Sequence, residues 1–416
     1  MSVNTAGKNI LIISGGLEAL PIIEKAREMG LRVVVSDGDE NAPGFALGDE
    51  TIHASTYDIE ETLRQARISH EKTPIDGVIS AAADVPKTVA AVAADLGLPG
   101  PSLESARLAG DKFLMKKAFR EMGVPLPWFS LVDGAQELEG LLEQREKTLV
   151  LKPVDSRGAR GVLRLTKDVD VSWAFSEALK NSPSGRVMAE EWVDGEQLST
   201  ESVVAGGRVA TPGLSERNYE YLERFAPFVI ENGGDLPARH FSGELEAIDR
   251  VITDVARAFG IKDWTIKGDI VMTGSGPVLI EAAPRLSGGY FCTHTIPLST
   301  GVDIVEGAIL LALGVRVNVD DYRPVIKNHV SQRFWFPKAG VVRKIRRAPD
   351  LKTMPGLAMM RLHVSRGERL TSVVSHPGRA GMVITTGATR EEAATRAREA
   401  ISSVEIITEK PLKMAQ

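Results

Sequence analysis

The first hundred residues alternate between short β-branched runs and helical repeats, and that alternation constrains the fold more than any other feature of the chain. Asn9–Ser14 and Leu31–Ser36 read as strands, and Leu17–Met29 between them has helical periodicity that stops at Gly30. A second cycle places a helix over Ile59–His70, a strand at Gly77–Ser80 and a helix over Val85–Leu96 that ends at Gly97. Strands joined by helical crossovers pair in parallel, with the helices covering the faces, so a doubly wound parallel sheet is expected. Ser14-Gly15-Gly16 falls at the first strand-to-helix turn. Backbone N–H groups there can hold an anion, or the segment is a plain tight turn. Asp37, at the end of the second strand, is ambiguous between a nucleotide contact and a turn residue.

Leu98-Pro99-Gly100-Pro101-Ser102 reads as a linker, followed by a helix over Asp111–Met122. From Thr148 the pattern turns β-rich, with strands at Leu149–Lys152, Val162–Leu165, Val187–Glu191, Leu198–Ala205 and Val209–Thr211. An amphipathic helix, Gly243–Phe259, precedes two further strands, and another helix spans Asp303–Leu313. Short strands and a helix from Thr389 to Val404 complete the pattern. A chain of 416 residues is long for one core. Three domains are expected: a βαβ domain over 1–100, a central region over 101–320 with a lid subdomain near 125–195, and a small β-rich domain over 321–416.

Composition removes several functional classes. A net charge of −5 gives no reason to expect nucleic acid, and no run of 18 apolar residues is present. Residues 1–8 do not read as a signal peptide, so a cytoplasmic protein is expected. The single cysteine, Cys292, excludes an intrachain disulfide and a multi-cysteine zinc site. It reads as a small buried thiol, with His294 its one near candidate partner. Thirteen Arg and Lys fall at 323, 327, 333, 338, 343, 344, 346, 347, 352, 361, 366, 369 and 379. They read as a solvated face, or as the rim of a site for an anionic substrate or a subunit contact.

Four constellations carry chemistry. The first is Lys112, in Gly110-Asp111-Lys112-Phe113 at a helix start. The second is Lys152 at a strand end, running into Ser156-Arg157-Gly158-Ala159-Arg160-Gly161, a hairpin with the N–H groups and small bulk of a phosphate clamp. The third is Glu190-Glu191-Trp192-Val193-Asp194-Gly195-Glu196, where a strand end can offer main-chain groups to an adenine and a carboxylate to two ribose hydroxyls. The fourth is Asp269 with Glu281. If 266–272 and 278–283 form a hairpin whose turn centres on Ser275, residues summing to 550 are opposite, and these two carboxylates meet. Like charges about 5 Å apart at Cβ repel, and a divalent cation removes the conflict. Arg285 leaves the second strand four residues later, placed to brace a phosphoryl group.

In that order, the four constellations resemble the ATP-grasp superfamily, in the branch holding biotin carboxylase, the purine-pathway ligases and the L-amino-acid ligases. The resemblance covers nearly the whole chain, and the N-terminal βαβ unit resembles the family's pre-ATP-grasp domain. It implies ATP and Mg²⁺ as cofactors, with Mn²⁺ able to substitute. Lys112 and Lys152 match the nucleotide lysines, and Ser156, Arg157, Gly158 and Gly161 the flexible phosphate loop. Glu190, Glu191, Trp192 and Val193 match the adenine hinge, and Glu196 the ribose carboxylate. Asp269 and Glu281 match the metal pair, and Arg285 the arginine beyond it. Two departures stand out. Ala283 occupies the place of an asparagine, and the first metal carboxylate is Asp rather than Glu.

The implied reaction is ATP-dependent carboxylate–amine ligation through an acylphosphate, with Lys152 and Arg285 as the catalytic cations. Small-molecule acids and amines are the expected partners, without nucleic acid or membrane, and a homodimer is compatible with the family. Ser215–Tyr219 and His294 are candidates for the acceptor pocket. A bicarbonate-activating carboxylase and a non-catalytic ATP-binding regulator are the alternatives. A dinucleotide oxidoreductase is disfavoured by the missing GxGxxG.

Overall fold

The computed structural model describes residues 5–239 and 241–409, which divide into two compact units. Among the described residues one comprises 5–126, 199–214 and 241–325, and the other 127–198, 215–239 and 326–409. The side chains of 241, 242 and Lys352 lie outside the described residues.

The first unit begins with β1 (Asn9–Ile13), α1 (Leu20–Glu28), β2 (Arg32–Asp37), β3 (Glu50–His53), α2 (Ile59–Lys72), β4 (Gly77–Ile79) and α3 (Pro86–Leu96). The four strands form an all-parallel sheet in the order β3-β2-β1-β4. All five residues of β1 are buried, as a strand covered by helices on both faces requires. The helix ends follow local chemistry. Asp58 caps α2 by accepting from the Glu61 N–H, and Pro86 opens α3 while left-handed Gly97 closes it. The order in which strands are added reverses at β1, which puts the switch point between the C-terminal ends of β1 and β4, where open parallel sheets bind their ligands. The loops there are Ser14–Glu18 and Ala81–Val85.

The same unit holds the helix Lys112–Glu121 and the 19-residue helix Phe241–Phe259, whose Phe119 and Phe259 rings meet edge-on at 5.0 Å. It also contains the antiparallel hairpin of Trp264–Thr273 with Gly276–Ala283. Asp269 does pair with Glu281, although the turn does not centre on Ser275. The tip pairs Thr273 with Gly276 around a two-residue turn, and an irregularity between Asp269 and Ile270 shifts the register by one residue. The bulge restores the expected partnership. Without it, the side-chain period of two would send one carboxylate to the other face.

The second unit contains an antiparallel sheet ordered Phe129–Val132, Val187–Glu191, Leu149–Pro153, Leu163–Leu165. Its apolar face packs Leu149, Leu151, Val187 and Ala189 against Leu138, Ala174 and Ala178 of the helices Ala135–Arg145 and Val171–Lys180. The strand Phe129–Val132 and both helices are absent from the sequence reading. Ala135–Arg145 buries only Leu138, so its apolar stripe is too thin to register as a period. Further along, His329–Phe334 and Gly381–Gly387 pair antiparallel over a core of Trp335, Leu351, Val383, Ala397 and Ala400. A small sheet of Arg369–Leu370, Gly340–Arg347 and Val404–Glu409 flanks that core. Among the described residues, no helix is long and apolar enough to cross a membrane.

Candidate active site

In the second unit, β-alternation puts Val150 and Lys152 on the face opposite the apolar core, with Glu190 beside Lys152. Lys152 Nζ donates to Glu190 Oε1 at 2.5 Å, and both side chains are 4% exposed. Glu191 points the other way, where Arg145 and Lys147 bind it. Burial works to raise the Glu191 pKa, but those hydrogen bonds prevail and hold it below the usual carboxylate range. Its side chain is therefore committed, and only its main chain remains for a base.

Two hinge amides are also spent within the fold. Glu191 N–H donates to Trp128 O, and Trp192 N–H to Thr148 O. Next to the hinge is a cavity of about 630 Å³, lined by Lys147, Thr148, Arg164, Thr166, Glu191, Trp192, Val193 and Asp194. The Arg164 guanidinium lies 5.5 Å from the Trp192 ring centroid and also meets Glu223.

The loop after Lys152 is built for close approach. Gly158, Ala159 and Gly161 have positive φ, and Ser156 Oγ closes the turn on Arg160 O at 2.6 Å. At Gly161 a Cβ would fall 2.8 Å from Asn181 Cβ, so glycine is required for packing as well as for φ. Gly158 O accepts from His376 N–H at 3.0 Å. Glu196 lies beside Glu216, whose pKa is pushed up to about 7, first by burial and then by the Glu196 carboxyl, against the pull of Arg390.

In the first unit the carboxylates carry lysines. Lys267 Nζ is 2.5 Å from Asp269 Oδ1, and Lys112 Nζ is 3.5 Å from Glu281 Oε1. Asp111 caps the helix by accepting from Phe113 and Leu114 N–H, which fixes Lys112 at the first helical position. Two opposed hard-oxygen groups, 20% and 35% exposed, suit Mg²⁺, which takes one or two carboxylates and completes its shell with phosphate and water. Among the described residues no group of three or more His, Cys, Asp or Glu forms a metal cage.

Arg285 and the loop beyond it dock at the switch point of the parallel sheet. Arg285 Nε donates to Asp84 Oδ1 at 3.0 Å, Leu286 bridges Ala81, and Gly289 N–H donates to Glu18 Oε2 at 2.7 Å. Ser287 bonds Glu201 through both N–H and Oγ. Glu201 is fully buried, and burial lifts its pKa to about 7 despite those bonds and the charges of Arg285 and Lys267. Three residues other than glycine with positive φ, Ser14, Ala82 and Tyr290, border this junction. Such conformations persist where the surroundings enforce them.

The Ser14–Gly16 turn resolves as a turn closed from within. Gly15 N–H is taken by Asp37 Oδ2 at 2.7 Å. Cys292 is buried and bonded to Ser287 O, its pKa driven well up by burial. The sequence reading missed Asp84, Glu18, Lys267 and Glu201. Glu201 carried a signal, being a lone carboxylate inside the small, uncharged run Leu198–Ala205, where an unpaired charge is rarely buried. Asp84 follows the strand that borders the switch point and was findable by topology.

Residues 109–289 match the ATP-grasp domain. Residues 23–100 match the ATP-grasp N-terminal domain, and 333–409 match L-amino acid ligase C-terminal domain 2. The chain thus contains an ATP-grasp domain preceded by an ATP-grasp N-terminal domain. It is 24% identical over 405 residues to the protein y4rH of Sinorhizobium fredii, covering 95% of this chain and 82% of that one. It is also 24% identical over 351 residues to carnosine synthase 1 of Homo sapiens, spanning 78% of this chain but only 42% of that enzyme. The solved L-amino acid ligase from Bacillus licheniformis superposes with a TM-score of 0.81 at 20% identity, over 98% of this chain and 100% of that one.

Proposed function

We propose that the protein is an ATP-dependent carboxylate–amine ligase, acting in the cytoplasm and releasing ADP and phosphate as it forms an amide or peptide bond. The observation that carries this reading is the opposed Asp269–Glu281 pair in a chain whose central domain is ATP-grasp. Bound Mg²⁺ would lie on Asp269 and Glu281 and neutralise phosphate charge. Lys112 and Lys267, now paired with those carboxylates, would turn to the phosphates. Lys152, held by Glu190, and the loop Ser156–Gly161 would hold the nucleotide's phosphates. Glu191 O, Val193 N–H and the Glu196 carboxylate would take adenine and ribose.

The acid's oxygen attacks the γ-phosphorus, the bond to the β-bridging oxygen breaks, and ADP leaves. The amine nitrogen then attacks the acyl carbon, loses a proton, and expels phosphate. Phosphoryl transfer needs positioning and charge more than covalent help. The acylphosphate also needs water kept out, a role that suits the 155–161 loop. Arg285, aligned by Asp84, would orient the acid. Arg285→Ala is expected to lose most turnover while still binding ATP, and a mutant with intact turnover would overturn that role.

The test is ADP release from Mg·ATP against a panel of acids, amines and bicarbonate. Release that needs both an acid and an amine supports ligation. Release with bicarbonate alone would instead favour a carboxylase, and ATP binding without release across the panel would leave an untested substrate or the regulator reading.

A further inference from the structure

The phosphate loop is fastened at its root and at its tip, by different parts of the second unit. At the root, Asp155 accepts from Ser182 Oγ and Ser184 N–H, both at 2.8 Å. Within the loop, Ser156 Oγ donates to Arg160 O and Arg160 Nη1 to Arg157 O, so residues 156–160 hold their own shape. At the tip, Gly158 O takes the His376 N–H at 3.0 Å. The Pro377 ring packs beside it, where a Cβ on Gly158 would fall 3.3 Å from Pro377 Cδ. The loop falls within the ATP-grasp match, and the turn that touches it within the 333–409 match.

That turn is a firm base. Gly378 N–H donates to Ser375 O and Arg379 N–H to His376 O. Arg379 pairs with Glu231 at 3.2 Å and stacks on Phe334, 4.0 Å from the ring centroid. Ala380 N–H donates to Trp335 O at 3.0 Å. A trans peptide unit is planar, with its C=O and N–H on opposite sides. Fixing Gly158 O on the turn therefore aims the Ala159 N–H the other way. Gly158 and Ala159 have φ of 62° and 58°, and N–H groups in turn conformations of this kind make anion-binding concavities.

We propose that the turn His376–Gly378 is a clasp that holds the phosphate loop in place for ATP, and so ties ATP consumption to amide formation. This rests on the ligase reading and deepens it. His376 acts as a positioning residue through its main-chain N–H, and Pro377 through its ring. A loop released from the clasp admits water to the acylphosphate. Water then attacks the acyl carbon, the bond to the phosphate oxygen breaks, and a proton goes to solvent. The acid and phosphate are returned with no amide made.

The test removes one N–H. His376 is the first residue of a helical turn, a position that tolerates proline. His376→Pro deletes the donor to Gly158 O, whereas His376→Ala keeps it and removes only the side chain. Trypsin cleavage after Arg157 and Arg160, read by mass spectrometry without nucleotide, reports how often the loop lets go. Losing one hydrogen bond should speed cleavage there roughly threefold to tenfold relative to other sites, with His376→Ala at the wild-type rate. Pro377→Gly, which withdraws the ring, should act in the same direction, and it replaces His376→Pro if that variant is cut throughout and has not folded. Wild-type cleavage in the folded variants, or equal acceleration in His376→Ala, would overturn the clasp.

Turnover reads its purpose. With an acid and an amine, wild type should release one ADP per amide, and His376→Pro more than one. A ratio of one in a variant whose loop is cut faster would overturn the coupling role. If no amine supports ADP release, the ligase reading has failed, and the digestion judges the clasp by itself. Faster loop cleavage in His376→Pro then supports it, and unchanged cleavage overturns it.

Discussion

Both units pair lysine with carboxylate at the expected site, but in different surroundings. Lys152 and Glu190 are 4% exposed and bonded at 2.5 Å, whereas Glu281 is 35% exposed and 3.5 Å from Lys112. A buried pair is fixed, because removing one partner strands the other in a medium of low dielectric. A pair open to water can exchange partners at little cost. Glu190 therefore acts as a strut for Lys152, while Asp269 and Glu281 would give up their lysines for the cation of the proposed mechanism.

The largest expected effect separates the two pairs by activity. Asp269→Asn combined with Glu281→Gln should lose about a thousandfold or more of Mg·ATP-dependent turnover. The unfolding midpoint should change little, because those carboxylates are partly solvated. A comparable loss of stability would show that the hairpin needs its ion pairs to fold.

Next comes Glu190→Gln, which leaves Lys152 buried and unpaired. Urea denaturation should show a loss of roughly 3–5 kcal/mol, against about 1 kcal/mol or less for Glu281→Gln alone. Equal losses would erase the distinction.

A third test uses the buried Glu201. Its folded pKa of about 7 is above its unfolded value, so the native state retains a proton that the unfolded chain releases from about pH 4.5 upward. Stability from this group is complete below that range and is lost as pH rises to about 7, by on the order of 3 kcal/mol. Glu201→Gln should flatten that fall. Glu216, raised in the same direction, would account for the slope that remains. An unchanged pH profile in Glu201→Gln would mean that Glu201 is ionised in the fold. The smallest effect is expected from Asp111→Ala, about 1 kcal/mol by calorimetry through the lost helix cap that holds Lys112 in place.

Periodicity and turn chemistry made much of this legible in the sequence. They located the parallel sheet, the Val187–Glu191 strand and the hairpin that carries Asp269 and Glu281, since alternation and glycine act over a few residues. Long-range partnerships were not legible. Arg285 meets a carboxylate 201 positions away, and no local rule selects Asp84 for it. The basic segment shows the same limit. As a sequence, 323–379 is a run of unassigned charge. In the fold, Arg333, Arg343, Arg346 and Arg379 find Asp235, Glu409, Glu405 and Glu231. The bulge after Asp269 was equally invisible, although it fixes which face the carboxylates share.

The most direct test of ligation through an acylphosphate follows oxygen. The acid substrate, labelled with ¹⁸O in its carboxylate, is turned over with Mg·ATP and an amine, and the released phosphate is weighed by mass spectrometry. Direct attack of the acid on the γ-phosphorus predicts one ¹⁸O in each phosphate. Unlabelled phosphate would mean that ATP is hydrolysed by water or that the acid is activated elsewhere, and would contradict the account.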